Sequence, residues 1–259
     1  MPAYSISSDF RWAEVNNPIS FHDSLLVYFG HCRTTHPLLR YATGDIALLL
    51  RAVNIRMHTN KPPLIFGRFS VESDLIKVGR SSVLFEEFIY LEKEEGKPRT
   101  LLATSTATVL LVNMRTKKPD PMPDGVKETA APSKYALESF AKPKIPTTIP
   151  EDAFQHRFLV RQSDLDVNVH VTNARFIIFF DDALVAGFLA GRFKHEPKDI
   201  SGFELTYERE VKLGEVAVIC WFDEQGAYIF ILKREDGIVA ATGRMFAGEK
   251  NTEPWLARF

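Results

Sequence analysis

Seven prolines lie within residues 118–150 and divide the 259-residue chain into two halves. Proline lacks the backbone N–H that sheet ladders and helix interiors need, so this stretch is not expected to hold a regular sheet or a long helix. The sequence therefore predicts a linker at 118–150, with a short helix near 133–140. On this reading the linker joins a first lobe at 1–117 to a second lobe at 151–259.

Both halves show the same order of hydrophobic patterns, a helical stretch followed by strand-like runs. Helical periodicity marks 37–56 in the first half and 174–192 in the second. Strand-like runs follow each helix, at 64–76, 81–91 and 100–113 in the first half and at 203–211, 215–222, 227–234 and 238–248 in the second. Both helices are apolar on more than one face, which favours an α+β fold in which an antiparallel sheet wraps around each helix.

Short similarities between the halves indicate a duplication. Leu75–Gly79 resembles Glu210–Gly214, and Leu102–Thr104 resembles Ala240–Thr242, at an offset of about 135 residues. A repeat of that length is a duplicated domain and excludes a short-period solenoid.

The balance of charges restricts the partners. The chain carries 32 Lys and Arg against 33 Asp and Glu, which argues against the basic surface that nucleic acid or an anionic membrane requires. Residues 1–17 lack the apolar core of a signal peptide, and no apolar run reaches membrane-spanning length. We therefore expect a soluble, cytoplasmic protein without a membrane span, or one of an organelle lumen from which a targeting peptide was removed.

The sequence contains no motif for a cofactor or a metal. Cys32 and Cys220 offer neither a disulfide framework nor paired metal ligands, and Cys220 lies in the apolar run Val216–Phe222, which is typical of a buried thiol. His31 and His36 lack the shared face that a zinc site would use. There is also no phosphate loop, dinucleotide fingerprint or nucleophile elbow, so we expect no cofactor and no metal.

The heptapeptide Asp164–His170 is the strongest candidate for chemistry. Its polar residues Asp164, Asp166, Asn168 and His170 alternate with apolar ones, so an extended backbone would point all four side chains to one face. A carboxylate, an amide and an imidazole in one small space can supply a base or nucleophile, a carbonyl-orienting donor and a proton carrier. This combination suits hydrolysis of an activated acyl group. Asp164 itself is expected to be a solvated turn carboxylate.

Two motifs in the second half carry a family resemblance. The segment Asp166-Val-Asn-Val-His-Val-Thr-Asn-Ala-Arg-Phe176 fits the pattern Asp-x-Asn-x-His-Val-x-Asn followed by an aromatic residue, and Tyr207-Glu-Arg-Glu210 fits the pattern Tyr-x-Arg-Glu. Both resemble motifs of the hotdog-fold thioesterases, and within them of the double-hotdog acyl-acyl-carrier-protein (acyl-ACP) thioesterases. Val211 stands where that family often has cysteine, which puts a thiol role in doubt and leaves the Glu210 carboxylate unaffected.

The resemblance implies two tandem hotdog folds, each a long helix wrapped by an antiparallel sheet, that form an intramolecular pseudo-dimer. It leaves open a homodimer of that pseudo-dimer. Under the repeat offset, the residues opposite Asp166, Asn168, His170 and Glu210 are His31, Arg33, Thr35 and Leu75. The first lobe therefore lacks the site residues, and we expect one site per chain, with the first lobe used for substrate packing.

The resemblance also implies roles for individual residues: catalytic for Asp166, Asn168, His170 and Glu210, and substrate-binding for Asn173, Phe176 and Asp182. Asp166 is either a nucleophile that takes the acyl group as an anhydride or an acceptor that orients Asn168 and His170; Glu210 is the competing general base for water. A structural role is favoured for each of the three substrate-binding candidates. Asn173 is expected to be a helix N-cap, and Phe176 is expected to lie in the apolar core. Asp182 is expected to form the polar edge of the helix together with Asp181.

The predicted function is hydrolysis of a fatty acyl thioester, carried on ACP or on coenzyme A, to a free fatty acid and a thiol. Two alternatives stay open. One is a non-catalytic hotdog protein that binds acyl thioesters, and the other is a hotdog hydratase or dehydratase that acts on enoyl thioesters.

Overall fold

The computed structural model describes residues 4–9, 25–26, 29, 44–58, 68–92, 98–133, 148–166, 168–196, 199–223 and 225–248. These residues fall into two compact units, one formed by the described residues up to 133 and the other by those from 148 onward. No helix in these ranges combines the length and the apolar character that crossing a membrane requires.

The first unit is built on one antiparallel sheet. Its elements are β1 (Tyr4–Asp9), β2 (Ile46–Met57), β3 (Arg68–Val78), β4 (Ser82–Leu91), β5 (Thr100–Asn113), β6 (Lys118–Pro119) and the single helical turn α1 (Asp124–Lys127). The strands lie in the order β1-β3-β4-β5-β2, and β6 pairs with β5. Leu75, Phe85, Ala107 and Val53 are buried side by side across four strands and mark the apolar core face.

The second unit repeats this strand order around a long helix. Its elements are β7 (Phe154–Val160), a 3₁₀ turn (Gln162–Asp164), α2 (Asn173–Leu189), β8 (Ile200–Tyr207), β9 (Gly214–Phe222), β10 (Ala227–Arg234) and β11 (Val239–Ala247). The strands are antiparallel in the order β7-β9-β10-β11-β8. Numbered within each unit, both sheets therefore run first, third, fourth, fifth, second.

Helix α2 packs its aromatic residues against the sheet of the second unit. Phe179 stacks on Phe158 of β7 with ring centroids 5.4 Å apart, and Phe180 stacks on Phe230 of β10 at 4.9 Å. A Cβ at Gly243 of β11 would lie 2.6 Å from the Phe180 ring, so only glycine leaves room for it. The helix predicted at 174–192 is thus present, and its aromatic residues form core contacts.

The helix predicted at 37–56 in the first half is wrong from residue 44 onward, because Gly44 and Asp45 form a turn and Ile46–Met57 is the strand β2. Residues 37–43 lie outside the described residues. The register between β2 and β5 shifts between Leu50 and Ala52, which marks a bulge. A bulge interrupts the alternation of side chains, so the apolar residues Ile46, Leu49, Leu50 and Val53 acquire a helix-like spacing within a strand.

The repeat offset also needs correction. Leu102–Thr104 and Ala240–Thr242 lie on β5 and β11, which are the fifth strands of their units. Leu75–Gly79, however, includes the end of β3, whereas Glu210–Gly214 leads into the start of β9. Glu210 therefore does not correspond to Leu75, and the other three predicted counterparts, His31, Arg33 and Thr35, lie outside the described residues.

Part of the predicted linker belongs to the first unit. The N–H groups of Asp120 and Met122 donate to the carbonyls of Leu111 and Arg80 at 2.9 and 2.7 Å. Met122 and Val126 are buried. The prolines are tolerated here because the residues between them supply the N–H groups that the backbone needs. Of the helix predicted near 133–140, all but the first position lies outside the described residues.

Candidate active site

An isolated β-bridge joins Leu165 to Val171 and closes a tight loop that carries Asp166, Asn168, Val169 and His170. Inside it, the Asp166 N–H donates to the His170 carbonyl at 2.8 Å, and the Val169 N–H donates to the Asp166 carbonyl at 3.0 Å. Val169 has a φ of +61°, a value that β-branched residues rarely adopt. The predicted extended backbone, with four polar side chains on one face, is therefore wrong.

The Asp166 carboxylate explains why the loop is not extended. Its Oδ1 accepts the backbone N–H of Asn168 at 2.8 Å and that of His170 at 3.3 Å. An aspartate that bonds to the backbone two residues further on favours a turn over a strand. Asp166 is thus the residue around which the loop folds.

The four polar residues of the heptapeptide differ in exposure. Asp166 and Asn168 are exposed and His170 is half-buried, whereas Asp164 is only 8% exposed. The Asp164 Oδ2 accepts the backbone N–H of Arg161 at 2.7 Å, and its Oδ1 lies 3.6 Å from Nε of Arg175. The prediction of Asp164 as a solvated turn carboxylate is therefore wrong.

His170 pairs with Glu210 from the segment that follows β8. The Nε2 of His170 lies 3.1 Å from Oε2 of Glu210, and the two side chains are 25% and 52% exposed. One residue further along each segment, the Val171 N–H donates to the Val211 carbonyl at 2.8 Å. This backbone bond fixes the two segments side by side, so that both motifs of the sequence meet at one place.

Asn168 projects from the loop into solvent. Among the residues that the structure describes, its side-chain amide has no hydrogen-bond partner. An amide held on a folded loop with a free N–H₂ group can donate to a carbonyl oxygen or to water.

Two predicted substrate-binding residues, Asn173 and Phe176, lie in the first turn of α2. Thr172 is the N-cap, without a side-chain capping bond, and Asn173 is the first helical residue, so the interpretation of Asn173 as N-cap is wrong by one position. The Tyr207 hydroxyl donates to the Asn173 carbonyl at 3.0 Å. Phe176 is buried edge-on against the Tyr207 ring, with centroids 5.3 Å apart. Tyr207 of the second motif thus holds the start of α2.

The two acidic residues in the middle of α2 are not a polar edge. Asp181 is completely buried, and Asp182 is half-buried. Burial raises the pKa of the Asp182 carboxyl, and the neighbouring Asp181 charge raises it further. The charges of His156, Arg161 and Arg175 act in the opposite direction. Arg161 and Arg175, which lower the pKa of Asp182, also contact Asp164.

An open cleft of about 560 Å³ adjoins Glu210 and is lined by Glu210, Val211, Lys212, Leu213, Gly214, Glu215, Val216, Arg234, Glu235 and Asp236. The Arg234 guanidinium donates to the Glu210 carbonyl at 3.4 Å and also pairs with Asp236. These two contacts hold the segment that carries Glu210 beside the turn after β10. The cleft leaves the Glu210 side of the pair open to solvent.

Cys220 is buried, and burial raises the pKa of its thiol well above the usual range. Within the described ranges no three His, Cys, Asp or Glu side chains cluster as metal ligands would.

The comparison with protein families covers the part of the chain that carries this site. Residues 148–244 match the family model described as the acyl-ACP thioesterase C-terminal domain. The matched range includes the His170 loop, α2 and Glu210. No curated protein sequence matches the chain.

Solved structures share the fold at low sequence identity. The 12:0-ACP thioesterase from Umbellularia californica is 16% identical, with a TM-score of 0.71 over 94% of this chain and 96% of that chain. An acyl-ACP thioesterase from Bacteroides thetaiotaomicron is 16% identical, with a TM-score of 0.69 over 94% and 97%.

A MaoC-like dehydratase from Phytophthora capsici is 9% identical, with a TM-score of 0.55 over 97% of both chains. At these identities the likeness concerns the fold alone, an antiparallel sheet with few helices as in hotdog-fold thioesterases. The match of residues 148–244 confirms the resemblance that the two motifs indicated: this segment is similar to the C-terminal domain of the acyl-ACP thioesterases.

Proposed function

We propose that this protein is a thioesterase that hydrolyses fatty acyl thioesters to a free fatty acid and a thiol, with ACP as the carrier. The observation that carries the proposal is the 3.1 Å contact between His170 and Glu210 within a segment similar to acyl-ACP thioesterases. Coenzyme A is the second candidate carrier, because both carriers present the thioester on the same type of arm.

In the proposed reaction, the His170–Glu210 pair removes a proton from water, and the water oxygen forms a bond to the thioester carbon. When the Nε2–H group of His170 donates a hydrogen bond to Glu210, Nδ1 is the ring nitrogen that accepts the proton from water. The Asn168 amide donates to the carbonyl oxygen as it becomes an oxyanion. The C–S bond then breaks, and the thiolate takes the proton held by the pair.

We assign Asp166 to the role of an orienting acceptor rather than a nucleophile. One of its oxygens already holds the N–H groups of Asn168 and His170, so its charge is used to shape the loop. Asp166→Ala should therefore lose most of the activity by releasing the loop.

A single turnover in H₂¹⁸O, with enzyme in excess over substrate, tests the nucleophilic role of Asp166. Direct attack by water places ¹⁸O in the first fatty acid released. Attack by Asp166 releases the thiol and forms an anhydride; when water then attacks the Asp166 carboxyl carbon, the fatty acid leaves with a protein oxygen, so an unlabelled first product would restore the nucleophilic role.

The three predicted substrate-binding residues receive different assignments. We keep Asn173 and Asp182 as substrate-binding candidates, because Asn173 is exposed at the start of α2 and Asp182 is partly exposed on the same helix. Phe176 is assigned to support, since it is buried against Tyr207.

We further propose that each unit is one hotdog fold, in a pseudo-dimer formed within one chain with one active site. The support is the identical strand order in both units. Native mass spectrometry distinguishes the homodimer of this arrangement from a single chain.

A thiol-release assay with saturated acyl groups of several lengths, each on ACP and on coenzyme A, tests the function and the carrier together. We expect thiol and fatty acid in equal amounts and faster turnover on ACP. An enoyl thioester serves as the comparison substrate: formation of a hydroxyacyl thioester without thiol release would indicate a hydratase. An acyl thioester retained in stoichiometric amount without thiol release would indicate a binding protein.

A further inference from the structure

We propose that Asp164 and Arg175 form a positioning pair that holds the His170 loop in register with Glu210. The expected effect of this pair on kcat rests on the proposed function, whereas the contacts of Asp164 and Arg175 do not depend on the substrate. Neither residue belongs to the set that the motif assigns to chemistry.

Asp164 holds the chain on both sides of the loop. Its side-chain Oδ2 accepts the N–H of Arg161, before the loop, at 2.7 Å. Its backbone carbonyl accepts the N–H of Thr172, after the loop, at 3.0 Å. The loop that carries Asp166, Asn168 and His170 therefore begins and ends at contacts with a single residue.

Arg175 connects this residue to the first turn of α2. Its Nε lies 3.6 Å from Asp164 Oδ1, and the Asp164 side chain is only 12% exposed, against 35% for Arg175. A carboxylate buried to this extent depends on a nearby cation more than a surface carboxylate does, because water screens it less. Removing the charge of either partner should therefore disturb the position of the other.

The pair acts on His170 through the backbone. Between Asp164 and Thr172, the bridge Leu165–Val171 closes the loop, and the Val171 N–H is bonded to the Val211 carbonyl beside Glu210. A shift of Asp164 relative to α2 would move this closed loop as a body. The contact between His170 and Glu210 is the part of the site that such a shift changes.

Asp164→Asn separates the ionic role from the backbone role. Asparagine keeps a side-chain oxygen for the Arg161 N–H and places an uncharged N–H₂ group opposite Arg175. We expect kcat for thioester hydrolysis to fall about tenfold to a hundredfold, as for a misplacement of about 1 Å, with KM unchanged. Arg175→Gln should give the same loss, and Arg175→Lys should recover part of it.

The double variant Asp164→Asn with Arg175→Gln should be no slower than either single variant, because both changes remove one interaction. Asp152→Asn is the matched control, since Asp152 is an exposed aspartate in the same unit. It should leave kcat unchanged. If the losses of kcat in the two single variants multiply in the double variant, Asp164 and Arg175 act independently, and the proposed pair is overturned.

A readout without substrate keeps this inference separate from the proposed function. ¹⁵N NMR of the His170 ring should show Nε2 hydrogen-bonded in the wild type and in Arg175→Lys, and no longer bonded in Asp164→Asn. If the wild type releases no thiol, the proposed function fails, while the NMR comparison still tests the pair. An unchanged His170 signal in folded Asp164→Asn and Arg175→Gln overturns it; if Asp164→Asn does not fold, Arg175→Gln and Arg175→Lys decide.

Discussion

The Tyr207 hydroxyl donates to the carbonyl of Asn173 at 3.0 Å and so joins the end of β8 to the first residue of α2. Tyr207 opens the second motif, and Asn173 is the second asparagine of the first motif. This bond and the backbone bond between Val171 and Val211 hold the two motif segments together, and His170 meets Glu210 between them.

Tyr207→Phe should lower both stability and turnover. The lost hydrogen bond should reduce the free energy of unfolding by about 0.5–1.5 kcal/mol, and kcat should fall because the start of α2 is less well held. Tyr228→Phe is the matched control, because the buried Tyr228 hydroxyl bonds to His195 in the same unit. Urea unfolding and steady-state kinetics should show a stability loss in both variants and a kcat loss in Tyr207→Phe alone.

Asp182→Asn should stabilise the protein at neutral pH. Because the pKa of Asp182 is raised by burial in the folded state, its ionisation at neutral pH opposes folding. This penalty is absent below the unfolded-state pKa of about 4 and develops as pH rises through the higher folded-state pKa.

Urea unfolding at a series of pH values checks this prediction. The difference between Asp182→Asn and the wild type should be largest near pH 7 and should disappear as the pH falls. A variant that is less stable than the wild type at pH 7 would show that the contacts with His156, Arg161 and Arg175 outweigh burial.

Gly243→Ala should destabilise the second unit. The new Cβ would lie 2.6 Å from the Phe180 ring and 3.0 Å from the Glu204 carbonyl, so the stacking of Phe180 on Phe230 must shift. Overpacking of this kind costs about 1–3 kcal/mol. Thermal unfolding provides the measurement. Gly237→Ala, where the Cβ meets open space at a φ of +79°, isolates the cost of backbone strain.

Cys220→Ala should leave kcat nearly unchanged. Cys220 is buried and its thiol pKa is raised well above the usual range, so little reactive thiolate forms. Iodoacetamide should fail to alkylate Cys220 in the folded protein and should alkylate it after unfolding, as peptide mass spectrometry would show. Loss of activity in a folded Cys220→Ala variant would contradict this prediction.

The sequence predicts the second half better than the first. The helix and the four strands that follow it are recovered because aromatic and β-branched runs there end at clear turns. The sequence does not predict the strand Phe154–Val160, which lies at the end of the strand order. Its partly buried residues alternate with exposed ones, two of which are the polar Gln155 and Arg157, so it forms no continuous apolar run. In the first half, the bulge near Arg51 gives β2 a helix-like spacing, and no local signal marks a bulge.

For the site, the residue types are readable from the sequence but their geometry is not. Alternating polar residues predict a strand, yet the Asp166 carboxylate bonds to its own loop and produces a turn. Asp164 is buried beside Arg175, which lies on a helix that begins after the loop. In the sequence, the feature that points to the pair of Asp164 and Arg175 is the positively charged Arg175 in the first turn of α2.

The most direct test of catalysis by the His170–Glu210 pair is thiol release from an acyl-ACP by the wild type, His170→Ala and Glu210→Gln. Because one His–Glu pair removes the proton from the reacting water, each variant should lose about 10²–10⁴-fold in kcat while remaining folded by circular dichroism. Combining both changes should cost little more than either alone. Unchanged turnover in folded His170→Ala would remove His170 from the reaction, and a wild type that releases no thiol would show that the protein is not a thioesterase.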